Sequence, residues 1–586
     1  MSRDEASGDP GFQQFERFLE EWSRRDFLRN MGVGAAYLAF MAGGVEFLEA
    51  CMGRTSSPNA NVKEGGHIVE ASIADLKNWN SVLTTDYTSQ QMISMVNDPL
   101  YGVDTGGNMT PLVAKDKPQV SSDNLTYTVN LRQDVKWNDG QDLTADDVVF
   151  TYQLMYDPQY AKVNSPRRGD LSTYLESVTA KDKYTVIFKT KTVYAPFAIV
   201  HLAANNYTIL PKHVLGSLAP DAINTADYNS APTVTCGAFN FVSWDKGSQV
   251  TLKKNSKYYR GAPHLDNYVF KIGGTSTAVL NQLKTGEIDV AFPGIGPIDP
   301  SQFDAARSVD TINVYSYPRL SFDFIAFQLD PTKPAFKLFG DKSVRQAMVY
   351  ALDRKAIAHA LYFDQATVAN TSMPPASWAY NKDNQPQFAF DKAKATSMLD
   401  AAGWKAGADG IRVKDGVPFK FTIITNAGNK VRENLLVVLQ QQWKDIGIDA
   451  TPMNVDFNKV LVPAITDNRN FDMFMVGFIW SPDPDQSTLW HSRNARKGGF
   501  NGMQYKNPDL DKVLDDAVAT LDKGQRKQLY FKMQQILAED QPAPILTFPN
   551  GILGLNKRVQ NWQYGTFLGS APRGPFINSV FVSDGK

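Results

Sequence analysis

The sequence predicts an α/β protein, because stretches with the two-residue period of strands alternate with stretches whose apolar residues recur at helical spacing. Tyr127, Val129 and Leu131 occupy every second position, which is the period of a half-buried strand. A later helical face, ended by Gly447, consists of Leu435, Val438, Leu439, Trp443 and Ile446. A chain of 586 residues is too long for one ordinary domain, so two or three domains are expected.

In the first half of the chain, the sequence predicts a turn, a helix and a second strand after the strand that contains Tyr127, Val129 and Leu131. Residues 138–140 (NDG) have turn chemistry, and residues 144–147 (TADD) resemble a capping box at a helix N-terminus. The two acids of that box also lie where the helix dipole favours negative charge. Val148, Tyr152 and Met155 follow on one helical face, and strand periodicity returns at 184–188.

The second half repeats the alternation on a larger scale. A helix is predicted over Ser343–Leu352, and a second one is capped by Asp391 and stopped by Gly403. Strands are predicted over Phe419–Thr425 and Phe471–Phe478. Helices that alternate with strands in this way favour an α/β or α+β fold.

The N-terminal segment predicts export from the cytoplasm. Arg24 and Arg25 precede Phe27-Leu28 and an uncharged run over residues 31–45, and Cys51 follows. A basic region followed by a short apolar core is typical of a secretory signal, and the run is too short for a confident membrane-spanning helix. The paired arginines resemble the twin-arginine consensus, and residues 48–51 (LEAC) resemble a lipoprotein cleavage box that departs from the pattern at Glu49.

We therefore expect lipidation at Cys51 and a membrane anchor, followed by a flexible tether over residues 52–65. A diacylated cysteine would supply the two acyl chains that stable anchoring needs. The alternatives are an uncleaved anchor, a chance pair of arginines, and an unmodified thiol at Cys51.

Composition excludes several classes of protein. Lys and Arg number 60 against 61 Asp and Glu, so nothing indicates a nucleic-acid partner. With only two cysteines, a lipidated Cys51 leaves Cys236 without an intrachain partner, and the fold must depend on its core. The six histidines show no zinc-like spacing, and no nucleophile, phosphate-loop or Cys/His signature is present. No metal, cofactor or enzymatic activity is therefore predicted.

Six segments stand in a fixed order along the chain: 135–150 (VKWNDGQDLTADDVVF), 236–259, 283–291 (LKTGEIDVA), 344–354, 391–404 and 480–485 (WSPDPD). Together they resemble the large solute-binding proteins of ABC transporters, family 5, which includes dipeptide-, oligopeptide- and nickel-binding receptors. The resemblance extends over residues 66 to about 550. The family usually has a small polar residue where Cys236 stands.

The resemblance implies a two-lobed periplasmic-binding-protein-like fold with an additional α/β domain inserted in lobe one and two hinge strands. Carried onto this chain, it implies a signal at 1–51, the tether at 52–65, lobe one from 66–110, 232–317 and 548–586, the extra domain at 111–231, and lobe two at 318–547. Phe322–Leu329 and Ala543–Phe548 are the candidate hinge strands, because both are apolar and continuous.

Four carboxylates near the extra domain's first helix invite interpretation as a site: Asp139, Asp142, Asp146 and Asp147. Turn and capping chemistry explains all four without a ligand, and we prefer that interpretation.

The loop after the strand Phe471–Phe478 is the best candidate for ligand contact. In the family this loop faces the cleft, and in peptide-binding members a carboxylate there meets the ligand's ammonium group. Here Ser481 stands at that position and Asp483 lies two residues later, so either Asp483 replaces it or the receptor does not capture a free amino terminus. Trp480 and Trp490 flank the loop and either stack on a ligand or pack in the core.

The resemblance therefore implies an extracytoplasmic, lipid-anchored receptor, expected to be monomeric, that encloses a solute between two lobes and delivers it to ABC permease subunits. It would lie in the periplasm or on the outer face of the cytoplasmic membrane. Peptides are the expected ligand, and oligosaccharides are the alternative, favoured by Ser481 and the two tryptophans. A different class of protein, an extracytoplasmic hydrolase or a chaperone-like protein, would require convergent catalytic groups or an exposed apolar surface.

Overall fold

The computed structural model describes residues 52–54, 62–84, 86–291, 298–383, 386–567 and 573–586. Arg24, Arg25 and Cys51 lie outside the described residues, so the export and lipidation predictions stay predictions. Within the predicted tether, Met52–Arg54 form a short strand, which differs from an entirely irregular segment. In the part of the chain that is described, no helix is long and apolar enough to cross a membrane.

The first large sheet belongs to lobe one and has seven strands. In spatial order they are Ile312–Tyr317, Gly551–Asn556, Val290–Ala291, His67–Ser72, Asn267–Ile272, Gln249–Lys254 and Phe239–Asp245. The strand His67–Ser72 pairs in parallel with both of its neighbours. The α-helices that accompany this sheet are Tyr87–Val96, Ser276–Thr285, Phe303–Arg307 and Gly574–Ile577.

The second large sheet belongs to lobe two and has six strands. In spatial order they are Ala366–Val368, Ile545–Pro549, Ser321–Phe327, Met473–Ile479, Lys420–Asn426 and Asp449–Val455. Its α-helices are Phe336–Phe339, Lys342–Tyr350, Arg354–Tyr362, Lys392–Ala401, Lys430–Lys444, Val462–Thr466, Ser487–Trp490, Pro508–Ala519 and Lys523–Asp540. This sheet and its helices enclose the largest apolar cluster of the described chain, which includes Trp443 and Phe339.

Two short segments carry the chain from one large sheet to the other. Residues 318–320 connect the strand Ile312–Tyr317 to Ser321–Phe327, and Asn550 connects Ile545–Pro549 to Gly551–Asn556. The predicted hinge strands are therefore neighbouring antiparallel strands of the lobe-two sheet that lead into these crossings. Every residue from Ser321 to Phe327 is buried, which agrees with a sequence that is apolar except at Ser321 and Asp323.

A third sheet of four antiparallel strands forms the extra domain. Its order is Gln119–Val120, Thr126–Asn130, Thr185–Thr190 and Leu175–Asp182, and its α-helices are Ala145–Tyr156, Arg168–Tyr174 and Lys212–Leu215. A separate apolar cluster fills this domain. The smaller strands are Tyr101–Val103, Met109–Pro111, Lys405–Ala406, Arg412–Lys414, Val417–Pro418, Val559–Gln560, Gln563–Gly565 and Phe581–Val582. The exact boundaries between the three domains stay predictions.

The local signals of the sequence are confirmed at several helix ends. Thr144 and Asp147 form a reciprocal capping box at the start of Ala145–Tyr156. The Asp391 side chain accepts a hydrogen bond from the backbone N–H of Lys394, and Gly403, just past the last turn, has φ +89°. A positive φ suits glycine because it has no Cβ to clash with the backbone.

Candidate functional site

The strand directions place a cleft at the crossing segments. Ile312–Tyr317 ends there, and it runs parallel to the other parallel strands of lobe one because both it and Val290–Ala291 are antiparallel to Gly551–Asn556. In lobe two, Met473–Ile479 is antiparallel to Ser321–Phe327, which begins at the crossing, so it ends there. Both lobes thus direct the carboxyl ends of their parallel strands toward the crossings, which is where ligands bind in open α/β sheets.

The lobe-two edge of this cleft carries an aromatic and aliphatic surface, which we call the aromatic shelf: Phe478, Ile479, Trp480 and Phe500. The Phe478 ring stacks on the Trp480 ring with centroids 4.7 Å apart and meets Phe500 edge-on at 5.9 Å. Ile479 is 47% exposed and Phe500 is 44% exposed. Because Ile479 ends the strand that reaches the crossing and Phe500 packs on Phe478 of that strand, the shelf offers an apolar contact surface to a ligand.

Trp480 joins the shelf to the crossing. Its backbone N–H donates to the Leu320 carbonyl oxygen at 2.7 Å, and its ring also lies 5.9 Å from the Phe322 ring. Its indole N–H is buried and has no hydrogen-bond partner among the described residues. A buried donor without a partner is costly, so this N–H is a candidate to bind a ligand oxygen.

A charged pair lies next to the shelf. The Arg432 guanidinium donates to the Asp323 carboxylate from Nη2 at 3.0 Å, and the Tyr362 hydroxyl donates to the other carboxylate oxygen at 2.7 Å. Gly477, opposite Asp323 in the neighbouring strand, permits this approach, because a Cβ there would lie 2.2 Å from Arg432 Nη2. Asp323 therefore already has two partners inside lobe two.

The predicted ligand carboxylate, Asp483, is also used internally. Its oxygens accept hydrogen bonds from Nη1 and Nη2 of Arg526, each at 3.0 Å, and both side chains are buried. The Ser481 hydroxyl donates to the Asp483 carbonyl oxygen at 3.2 Å. Because both carboxylate oxygens accept from Arg526 and the side chain is only 5% exposed, a ligand's ammonium group would have to compete with this ion pair, which disfavours the ligand role predicted for Asp483.

Trp490 lies in the core of lobe two. Its indole N–H donates to Gln486 Oε1 at 2.9 Å, and the side chain is only 1% exposed. It borders a small cavity of about 20 Å³, enough for an ordered water molecule. Core packing, the alternative left open by the sequence, therefore explains Trp490, and the geometry argues against stacking on a ligand.

The four aspartates of residues 139–147 have the structural roles preferred from the sequence. Asp142 pairs with Lys136 and Lys183, Asp139 lies 2.8 Å from His213 Nε2, and Asp146 lies 3.1 Å from Lys212 Nζ. Asp147 completes the capping box. Within the described ranges, no group of three or more His, Cys, Asp and Glu side chains is placed to hold a metal ion.

Sequence reasoning missed Ile479, Phe500, Asp323 and Arg432. Ile479 and Phe500 carry a weak signal, because an apolar residue in a sequence is most simply interpreted as part of the core. Asp323 carries a stronger one, because a carboxylate inside an otherwise apolar strand requires a buried partner.

Two lobes that meet at the carboxyl ends of their parallel strands, joined by two crossing segments, define the two-lobed fold of a periplasmic-binding-protein-like receptor. The family model described as "Bacterial extracellular solute-binding proteins, family 5 Middle" matches residues 108–500. The chain belongs to this family.

Similar proteins support this assignment. The oligopeptide-binding protein AppA of Bacillus subtilis is 34% identical over 526 residues, which cover 88% of this chain and 94% of AppA. The structure of that protein in complex with a nonapeptide superposes with a TM-score of 0.78, at 32% identity, over 89% of this chain and all of the AppA chain in that structure. NikZ from Campylobacter jejuni, in complex with Ni(L-His), is 25% identical, with a TM-score of 0.73, and the match covers 86% of this chain and 99% of NikZ.

Proposed function

We propose that this protein is the peptide-binding receptor of an ABC importer. The observation that carries the proposal is the cleft at the carboxyl ends of both lobes' parallel strands, bordered by the aromatic shelf. The extensive similarity to AppA, which was solved with a nonapeptide, supports a peptide of several residues. Similarity to a nickel-complex binder is lower and supports a metal-chelate ligand less.

The ligand is held without a carboxylate clamp on its amino terminus. Asp323 and Asp483 each have an arginine partner within lobe two, so neither offers a free charge to an ammonium group. Backbone hydrogen bonds and apolar contacts with the shelf supply the affinity instead. Such a receptor tolerates blocked amino termini, which one with a terminal clamp would reject.

The oligosaccharide alternative loses its main support. Sugar rings bind to exposed aromatic faces, whereas Trp490 is 1% exposed and Trp480 is 9% exposed with Phe322 and Phe478 against its ring. Of the four predicted ligand residues, Trp480 and the adjacent Ser481 remain our candidates for ligand contact.

The rest of the proposed role concerns the location and partners of the protein. We propose export through the segment containing Arg24 and Arg25, lipidation at Cys51, and presentation of the liganded monomer to permease subunits at the membrane. A binding function without enzymatic activity accords with the solute-binding family to which the chain belongs. Labelling of growing cells with a radioactive fatty acid, comparing wild type with Cys51→Ser, tests the anchor.

Ligand binding is tested by thermal denaturation of the mature protein with three sets of compounds. We expect nonapeptides, with free or acetylated amino termini, to raise the melting temperature by similar amounts. Dipeptides and linear oligosaccharides of matched length should give smaller shifts. A shift with oligosaccharides alone would show that the ligand is a sugar and not a peptide. Loss of the shift when the peptide is acetylated would show that the receptor does bind a free amino terminus.

A further inference from the structure

The extra domain is bonded directly to lobe two, although its sequence is inserted in lobe one. The backbone N–H of Ala195 donates to the Val518 carbonyl oxygen at 2.7 Å. Nη2 of Arg493 donates to the Tyr174 hydroxyl oxygen at 3.0 Å. Tyr174 and Ala195 belong to the extra domain, and Arg493 and Val518 belong to lobe two. We call these four residues the closure contact.

Apolar packing reinforces the two hydrogen bonds. Val518 ends the buried face of the lobe-two helix Pro508–Ala519, yet its side chain is 5% exposed and packs in the apolar cluster of the extra domain. The neighbouring Tyr194 ring stacks on Tyr174 with centroids 3.7 Å apart and planes within 8°. Val513 and Leu514 of the same helix pack in lobe two instead. The end of the helix thus bridges two cores.

Arg493 is held in position by its own lobe. Its Nη1 donates to Asp515 Oδ1 at 2.8 Å, and Asp515 lies on the helix that ends at Val518. The guanidinium is therefore oriented by lobe two before it meets Tyr174. A pre-oriented donor loses less conformational entropy when the second bond forms.

The extra domain, by contrast, is fastened to lobe one. Asn97 Nδ2 donates to the Tyr228 hydroxyl at 2.9 Å, and Asn80 Nδ2 donates to Asn229 Oδ1 at 3.0 Å, both in buried surroundings. Arg167 donates to the Thr84 carbonyl oxygen from both Nη atoms. The extra domain must therefore move with lobe one.

Residues 318–320 and Asn550 are the two places where the chain connects lobe one covalently to lobe two. A rotation about these crossings that separates the lobes must break the Ala195–Val518 and Arg493–Tyr174 bonds. We propose that the extra domain, through the closure contact, stabilises the closed arrangement of the two lobes. The strength of this contact then sets how long any ligand stays enclosed. This inference rests on the proposed function, because it assumes a receptor that opens and closes.

The expected behaviour differs from that of a ligand-contacting residue. A contact made only in the closed form stabilises that form by the same amount for every ligand. Weakening it raises the opening rate uniformly, whereas a substitution in the aromatic shelf acts on some ligands and not on others.

The Ala195 amide is a direct reporter, because its hydrogen bond exists only while the two parts touch. We would measure hydrogen exchange of the segment containing Ala195 in the full mature protein, with and without a tryptic digest of casein. The variants are Arg493→Ala and Tyr174→Phe. The control is Tyr184→Phe, which also removes a hydroxyl of the extra domain, one bonded to Asp142 within that domain.

We expect both closure-contact variants to exchange at Ala195 about five-fold faster than wild type, the effect of losing one hydrogen bond of average strength. Melting temperatures and exchange in the cores should stay within error, and the control should match wild type. Equal exchange at Ala195 in wild type and both variants, with and without the digest, would overturn the proposal. Absence of a thermal shift with the digest would count against the peptide function alone, because the comparison without digest still judges the closure contact.

Discussion

Arg526 donates two hydrogen bonds to Asp483, one from Nη1 and one from Nη2, to the two carboxylate oxygens, each at 3.0 Å. Nη2 also donates to the Tyr530 hydroxyl, and Nε donates to the Ala517 carbonyl oxygen. The arginine thus ties the loop after the cleft strand to two helices of lobe two. The carboxylate therefore stabilises the conformation of this loop, and the exposed shelf residues Ile479 and Phe500 remain available to the ligand.

We expect Asp483→Ala to lower the free energy of unfolding by about 3–5 kcal/mol, because it leaves a buried guanidinium without its counter-charge. Urea denaturation followed by tryptophan fluorescence measures this loss. Lys512→Ala is the control, since the Lys512–Asp516 pair at 3.0 Å is solvent-exposed and should contribute less than about 1 kcal/mol. Peptide affinity of folded Asp483→Ala should stay within about three-fold of wild type, and a loss of a hundred-fold or more would restore Asp483 as a ligand residue.

How far the sequence predicts this site depends on the range of the interactions. The capping box of Thr144 and Asp147 and the Asp391 cap are local, so the sequence predicts them correctly. Asp483 and Arg526 are 43 residues apart, and only the packing of the loop on a helix brings them together. The sequence shows that a carboxylate is present, but it does not show which cationic side chain pairs with it in the fold.

The closure contact lies further beyond sequence reasoning. Arg493 and Tyr174 are separated by 319 positions and belong to different domains. The family resemblance predicts that two lobes close, since it carries the overall architecture. It does not predict which side chains touch, because those depend on the relative placement of domains that fold on separate cores.

Phe500→Ala should weaken binding of peptides rich in bulky apolar side chains by about ten-fold, because it removes an exposed ring of the shelf. Peptides of the same length with small polar side chains should lose less than about two-fold. Titration calorimetry on both peptide sets measures the difference. Phe390→Ala is the control, because Phe390 is 50% exposed beside the helix Lys392–Ala401, away from the shelf. An equal loss for both peptide sets would show that Phe500 shapes the fold and does not select ligands.

Trp480→Phe keeps an aromatic ring against Phe478 and removes the indole N–H. If that N–H binds a ligand oxygen, affinity should fall by about three- to ten-fold, the effect of one hydrogen bond. Calorimetry on the wild type and the variant with the same nonapeptide measures the loss. Unchanged affinity together with higher stability would show instead that the unpartnered donor is a cost to the fold.

Stability should depend on pH through Asp98. This side chain is fully buried, and burial raises its pKa to about 6 although Tyr258 and Tyr259 donate hydrogen bonds to it. Because the folded-state pKa lies above the ordinary value of about 4, the folded protein binds the proton more tightly than the unfolded chain. The stabilisation from this group is present below about pH 4 and is lost as the pH rises through about 6.

Asp98→Asn isolates this dependence, because an amide keeps an acceptor oxygen and cannot ionise. Between pH 4 and pH 7, the free energy of unfolding of the wild type should fall by about 2 kcal/mol relative to that of the variant. Urea denaturation at each pH measures both proteins under the same conditions. Parallel curves for the two proteins would contradict a raised pKa at Asp98.

Cys236 should be unreactive in the folded protein. Its thiol is 1% exposed and donates toward Asn97 Oδ1 at 3.8 Å, and burial raises its pKa well above the usual range for a thiol. Since the thiolate is the reactive form, modification by a maleimide at pH 7 requires prior opening of the structure. We expect less than about a tenth of the native protein to be labelled in an hour, and complete labelling within minutes in 8 M urea. The two labelling rates should therefore differ by about a thousand-fold. Mass spectrometry of the tryptic peptide containing Cys236 measures both, and rapid labelling of the native protein would show that the contact between lobe one and the extra domain around Asn97 opens far more readily than its buried hydrogen bonds imply.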